Sequence, residues 1–537
     1  MSDRPPAPRR LLGQAMPAVA GLASVILGLG VAELVAAAVA PTAGPLLVVG
    51  SQLIDWAPAW AKQVAIALFG TGDKAALLTG VGVVLALVSA GAGVLERRRP
   101  PIGRLLIGAL GVFGAGAAIA RSGSSLLDVI PAAVATVVAV LALGFLLRRL
   151  AEPVPARPVN PATLRTAGAA SGPSTADAAA RLTRRRFLGL SAGAVTIGAL
   201  SALGGYALQA GSRAATAARN AFRLPTPSVA APAVPAGAEL AVAGLTPVVT
   251  PNADFYRIDT ALQVPQLNPD DWQLKITGLV EHPVTLGWAE LIALPLEESY
   301  TTLMCVSNEV GGDLIGTAKW LGYPIRHLLA RAAPTASADM VLSRSSDGFT
   351  ASTPLVALLE ADRNAILAIG MNDEPLPAEH GSPVRMVVPG LYGYVSATKW
   401  VVELEVTRFA DHAAYWTERG WSDHGPIKLE SRIDVPRQGT IVSRGQLVVA
   451  GVAWHQHTGI SKVEVQVDDG PWNEATLATA ISVDTWVQWR WTWNASSGTH
   501  KLRVRATDAA GEVQTSQHAD VIPDGATGYH EVDVQVA

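Results

Sequence analysis

The chain holds a single cysteine, Cys305, among its 537 residues. One thiol cannot close an internal disulfide, so bridges say nothing of the redox compartment, and the thiol matters for its own chemistry. Without context such a residue reads as a small buried hydrophobe. Charge is scarce too: 16% of residues are charged, against about 25% in ordinary soluble domains. Half the residues are hydrophobic and they crowd into the first 210 positions, which points to a membrane. The net charge is -3 and the second half has no long basic tract, so the electrostatic footprint of a nucleic-acid binder is missing. Histidine is absent before His282, so the apolar half cannot hold a b-type haem through a histidine pair. There is no CxxCH run and no second cysteine for an iron–sulfur cluster. No haem is therefore expected in this chain.

The length calls for several units. Four apolar stretches are long enough to cross a bilayer core, which takes about 20 helical residues: Ala15–Ala40, Ala75–Leu95, Ile102–Ala120 and Leu126–Leu147. Together they make a four-helix region over 1–150. A linker at 151–183, expected in the cytoplasm, leads to a fifth segment over 184–210 with its apolar part at Phe187–Leu208. Arginines set the orientation, because cations flanking a span stay inside. Arg4, Arg9 and Arg10 precede the first span, Arg97, Arg98, Arg99 and Arg104 join the second to the third, and Arg148, Arg149 and Arg184 to Arg186 follow the fourth. The alternate connections carry only Lys62, Lys74 and Arg121. The expectation is a multi-pass cell-membrane protein with the N-terminus inside and the second half on the extracytoplasmic side. Leu53–Phe69, with Pro58 and both charge signs, reads as an interfacial helix. Glu33 lies inside the first span, either as a protonated carboxyl facing another helix or as a proton or quinone contact. Thr183-Arg184-Arg185-Arg186-Phe187-Leu188 resembles a twin-arginine export signal, and ordinary stop-transfer arginines are the alternative. That route moves folded proteins, so it implies a cofactor loaded before export.

An Ala/Pro-rich linker at 211–244 separates the spans from the rest. From 245 to 411, β-type runs (WQLKITGLV, VRMVVPG, KWVVELEVTRF) alternate with helical ones (LGWAELIAL, PIRHLLARA, PLVALLEA), as in an α+β domain. From 425 to 537 strands and turns alone remain, with a hairpin at Asp469-Gly470, as in an immunoglobulin-like β-sandwich.

Three segments carry a resemblance: TPNADFYRIDT, then TLMCVSNEVGGDLIGTAKWLGYPIRHLL around the thiol, then HGSPVRMVVPGLYGYVSATKW. In this order, with the all-β end behind them, the chain from 245 to 537 resembles the sulfite oxidase superfamily of molybdopterin-dependent oxidoreductases. The resemblance implies a molybdenum–molybdopterin cofactor with Cys305 as the protein thiolate on the metal, a role suited to a soft ligand. It implies pterin and phosphate contacts from His380 and Arg385, and from Ser396, Ala397 and Thr398 with Lys399 beside them. Asn252, Phe255, Tyr256 and Arg257 would bracket the pterin edge, with Arg257 also reaching substrate. Ser345 and Asp347 belong to a further cofactor-contacting region. The all-β end resembles the family's dimerisation domain, so a homodimer is implied. Asn308 is either a site residue or the cap of the following turn. Sulfite oxidases place arginines shortly after the metal cysteine, where this chain has Glu309 and Val310, so the small-molecule substrate is sulfite, a sulfoxide or a related compound. The reaction expected is two-electron oxygen-atom transfer. The competing reading is a membrane-anchored binding protein with a vestigial cofactor site.

Overall fold

The computed structural model describes residues 7–40, 43–58, 73–120, 125–151, 175–208, 216–219 and 221–537, with isolated positions between 61 and 69. Arg4, Lys62, Arg121 and linker residues 152–174 lie outside the described residues. The chain divides into two compact units, Met1–Ala210 and Gly211–Ala537.

Among the described residues of the first unit five helices are long and apolar enough to cross a membrane, with apolar stretches at Gln14–Val39, Lys74–Arg98, Ile102–Ile119, Leu126–Ala151 and Arg184–Tyr206. These match the five expected spans to within a turn. The first helix, Ala7–Val39, packs on several others through glycines. A Cβ on Gly21 would lie 2.0 Å from the Ser89 carbonyl oxygen, and one on Gly30 would lie 1.9 Å from that of Gly198. Only glycine permits such backbone contact, the usual way apolar helices associate where lipid removes the hydrophobic drive. Between the second and third spans, Arg104 pairs with the buried Glu96 at 2.6 Å. Of the expected interfacial helix, Leu53–Trp56 and the described positions Ala61, Val64, Leu68 and Phe69 are helical. A helix covers Pro45–Trp56, with Pro45 in its first turn and Pro58 just past its end, and most of 59–67 lies outside the described residues.

The second unit joins two sheets with short helices to a β-sandwich. One sheet runs Val284–Gly287, Gln273–Gly278, Val401–Thr407, Met340–Ser345, Thr350–Pro354. The other runs Glu297–Met304, Ile315–Pro324, Ile366–Met371, Glu374–Pro375, with Arg385–Val387 also paired to Ile366–Met371. Ile366–Met371 (ILAIGM) is buried at every position, which explains its unbroken apolar run, whereas Gln273–Gly278 alternates as a strand with one wet face does. The three helical stretches read from periodicity appear as Trp288–Ala293, Ile325–Ala332 and Leu355–Leu359.

The C-terminal part is a sandwich of a four-stranded and a five-stranded sheet over a core that includes Val449, Trp489, Leu502, Val504 and Val532. Its hairpin falls where expected, but the left-handed residue is Asp468 (φ 53), one position before Asp469-Gly470. Trp454 and Trp486 of the sandwich belong to the same apolar cluster as Met304, Tyr392 and Leu404 of the α+β domain. The sandwich therefore shares a core with the domain before it rather than hanging from a tether.

Candidate active site

Cys305 follows directly on the strand Glu297–Met304, where the chain leaves the sheet. Its N–H donates to the Leu314 carbonyl (2.9 Å), and its carbonyl accepts from the Asn308 N–H (3.1 Å). Asn308 Oδ1 accepts from the Leu314 N–H at 2.8 Å, closing the loop 305–314. Asn308 is thus the clasp of the loop, and the turn-forming alternative describes it. Burial pushes the Cys305 thiol pKa up, while hydrogen bonds from the Ser307 backbone and side chain and the Lys399 cation pull it down.

The thiol lines a cavity walled by residues of three separate stretches of the chain, 255–260, 305–307 and 345–421. Of the residues expected at the site, Phe255, Tyr256, Ser345, Asp347, His380, Arg385, Ala397 and Lys399 line it with Cys305. Phe255 stacks on Tyr256 (ring centroids 5.2 Å) and meets His380 edge-on (5.5 Å), so the ring core fixes both polar neighbours. His380 Nε2 lies 3.2 Å from the Asn252 carbonyl. Burial, with the Arg385 and Lys399 cations, holds this imidazole at about 4. It is therefore neutral at pH 7, with Nε2–H donating to that carbonyl and Nδ1 left as an acceptor.

Arg385, 4% exposed, donates from Nη1 to the His380 carbonyl (3.1 Å), from Nη2 to that of Ala397 (3.3 Å) and from Nε to that of Met386 (3.3 Å). Three of its five N–H groups are spent on backbone, leaving two for a ligand. Burial lowers its pKa to about 10, against the opposing effect of Tyr256. Lys399 Nζ donates to Asp259 Oδ2 and to the Glu379 carbonyl, each at 2.9 Å. Burial brings Lys399 down to about 8 even though Asp259 pulls it up. Ser345 and Asp347 sit in the turn Ser345–Phe349, where Asp347 Oδ1 accepts from the Phe349 N–H (3.3 Å).

Asn252, Arg257, Ser396 and Thr398 do not line the cavity. Asn252 accepts from Asn372 Nδ2 (2.9 Å) and donates to Glu374 Oε2 (3.1 Å), while its carbonyl positions His380. Arg257 donates to Asp259 Oδ2 (3.0 Å), on the same carboxylate that holds Lys399. The Ser396 hydroxyl donates to the Leu391 and Tyr392 carbonyls, and that of Thr398 pairs with Ser343 Oγ at 2.7 Å. These two hydroxyls are committed to the scaffold.

Sequence reasoning missed Asp259, the carboxylate that organises Arg257 and Lys399. It also missed Trp416 and Trp421, which line the cavity from a stretch set between the expected domains. Their ring centroids are 6.2 Å apart, and Tyr394 stands 6.1 Å from Trp421. The aromatic density of AAYWTERGW was the available signal.

The family model "Oxidoreductase molybdopterin binding domain" matches residues 261–416, and the model "Bacterial Ig domain" matches 430–504. Rat mitochondrial sulfite oxidase is 28% identical over 271 residues, covering 43% of this chain and 49% of its own. The chain thus spans about half the length of that relative. An uncharacterized oxidoreductase of Bacillus subtilis (strain 168), YuiH, is 32% identical over 154 residues, covering 29% of this chain and 74% of its own. The solved sulfane dehydrogenase SoxCD of Paracoccus pantotrophus aligns with a TM-score of 0.47 at 22% identity, over 54% of this chain and 81% of that one. The chain belongs to the sulfite oxidase superfamily of molybdopterin-dependent oxidoreductases.

Proposed function

We propose that this protein is an oxidoreductase catalysing two-electron oxygen-atom transfer at a molybdenum–molybdopterin centre, held outside the cytoplasmic membrane by its N-terminal helices. The observation that carries the reading is a lone buried thiol lining a cavity with two cations, the buried Arg385 and the part-buried Lys399. Those donors fit the group: a soft thiolate for the metal, and guanidinium and ammonium N–H groups for a phosphate. Cys305 would ligate the metal, Arg385 and Lys399 would hold the phosphate, and Phe255 with Tyr256 would pack the pterin. Bound there, the molybdenum centre would supply the oxygen-atom exchange. The neutral His380 would accept a hydrogen bond at Nδ1, and Asp259 would keep Lys399 charged.

The cavity favours a neutral substrate such as a sulfoxide over the sulfite dianion. Asp259 and Asp347 offset Lys399 and Arg385, and aromatic rings line much of the rest: Tyr256, Phe349, Tyr394, Trp416 and Trp421. The loop after the thiol carries Glu309 and Val310 where cations would stand, and neither lines the cavity. Because the reaction moves two electrons, a separate cytochrome, quinone or membrane subunit would complete the cycle. Arg184-Arg185 would direct export of the folded, loaded domain, and the sandwich would offer a surface for a homodimer.

Purified chain from a cofactor-competent host is expected to hold about one molybdenum, to reduce sulfoxides with a viologen dye, and to oxidise sulfite with ferricyanide more slowly. Cys305→Ser should abolish both reactions while leaving the fold intact. Molybdenum-free wild type, or Cys305→Ser activity above about a tenth of wild type, would overturn the reading; a tenfold loss is 1.36 kcal/mol of barrier, less than removal of a metal ligand should cost.

A further inference from the structure

The loop carrying Cys305 is gripped by the immunoglobulin-like sandwich on both sides of the thiol. Three residues before it, every polar backbone and side-chain position of Thr302 is engaged by that domain. The Thr302 N–H donates to the Asp484 carbonyl (2.9 Å), its carbonyl accepts from Gln456 Nε2 (3.3 Å), and its Oγ1 accepts from the Trp486 N–H (2.9 Å) while also pairing with Thr317 Oγ1 on the neighbouring strand. Thr302 is fully buried, so these bonds are made away from water.

Beyond the thiol, Gly312 offers its carbonyl to Arg432 Nη1 at 2.6 Å. Arg432 is itself fixed by Asp434 (2.7 Å) and by Thr246 Oγ1 (3.0 Å), and it is 7% exposed. The neighbouring Gly311 is left-handed (φ 79) and sits flat on His530, where a Cβ would fall 2.2 Å from the ring. His530 is anchored in turn by the Ile433 N–H, 3.0 Å from its Nδ1.

We infer that the immunoglobulin-like domain positions the Cys305 thiol, with Arg432 and Thr302 as the positioning residues on either side of it. Only residues 303–310 lie between these two clamps, so a displacement of the backbone that carries the thiol works against both. This rests on the reading of Cys305 as the metal-binding thiol, yet the clamp can be tested without the metal. A residue that merely stabilises the fold would lower the melting temperature and leave the folded thiol as protected as before. A positioning residue would change thiol access in a protein that is still folded.

The test uses the full chain made without the pterin cofactor, so that Cys305 is free. As the sole cysteine, its alkylation by iodoacetamide is read directly as one mass shift. Arg432→Met and Thr302→Val are each expected to raise the alkylation rate at least fivefold at 25 °C, while Thr302→Ser, which keeps the hydroxyl, stays at the wild-type rate. In the loaded enzyme the same two variants should lower kcat with KM unchanged. Alkylation rates less than fivefold above wild type in both folded variants, or an equal rise in Thr302→Ser, would overturn the inference. Should Arg432→Met fail to fold, the Thr302 pair decides. Absence of molybdenum from loaded wild type would refute the proposed function and leave the alkylation result standing.

Discussion

Removing the Lys399 amine should help the empty protein and harm the loaded one. Lys399 sits at about 8 instead of its ordinary 10.5 because burial disfavours its charge. Between those two pH values the unfolded chain binds the proton and the folded chain does not. The cofactor-free protein therefore gains stability as pH rises from about 8 to 10.5, by up to about 3 kcal/mol at about 1.4 kcal/mol per pH unit. Below pH 8 both states carry the proton and the full penalty stands. Lys399→Met removes that penalty, and Asp259 keeps a partner in Arg257 at 3.0 Å, so the variant should not lose stability at pH 7. Its stability profile should lack the rise that Lys399 contributes to the wild type between those pH values. An anionic phosphate in the cavity reverses the account, because it restores the charge on the lysine. Losing one charge-assisted contact costs about 1.5–3 kcal/mol, or roughly 10- to 150-fold in affinity. The assays are urea unfolding from pH 7 to 10.5 on cofactor-free chain and molybdenum content of chain from a competent host. A variant that keeps wild-type molybdenum after dilution, or one that unfolds more readily than wild type at pH 7, would refute the reasoning.

Two further outcomes follow from other groups. Arg184→Lys with Arg185→Lys should leave the first four helices inserted and keep the catalytic half inside the cell, so that protease added to spheroplasts no longer digests it; digestion at the wild-type rate would exclude twin-arginine export. His530 is held at about 4, below its ordinary 6.5, by burial and the Arg432 cation. The unfolded chain takes up that proton first, so stability should be full above pH 6.5 and fall as pH drops toward 4. His530→Gln should reduce this acid loss by up to about 3 kcal/mol, read as the pH dependence of urea unfolding midpoints, and an unchanged acid limb would count against it.

What could be read in the sequence, and what could not, divides along physical lines. Short helices and strands follow from local periodicity, and the long apolar stretches were placed to within about four residues because an uninterrupted apolar run marks its own ends. Cys305, His380, Arg385 and Lys399 were legible because each lies in a contiguous run whose spacing survives in one chain. Asp259 was not, because its role is to bring together Arg257, two residues away, and Lys399, 140 residues away, and pairing across that separation leaves no local mark. Ser396 and Thr398 show the reverse. Their run is correctly placed, yet neither hydroxyl faces the cavity, because one closes a helical turn and the other bonds to Ser343. The expected domains leave 412–424 unassigned, yet Trp416 and Trp421 wall the site, and Trp454 and Trp486 extend the α+β core into the sandwich. Composition locates a change of local structure, while a shared core depends on which apolar faces meet, and that is decided only when the chain is folded.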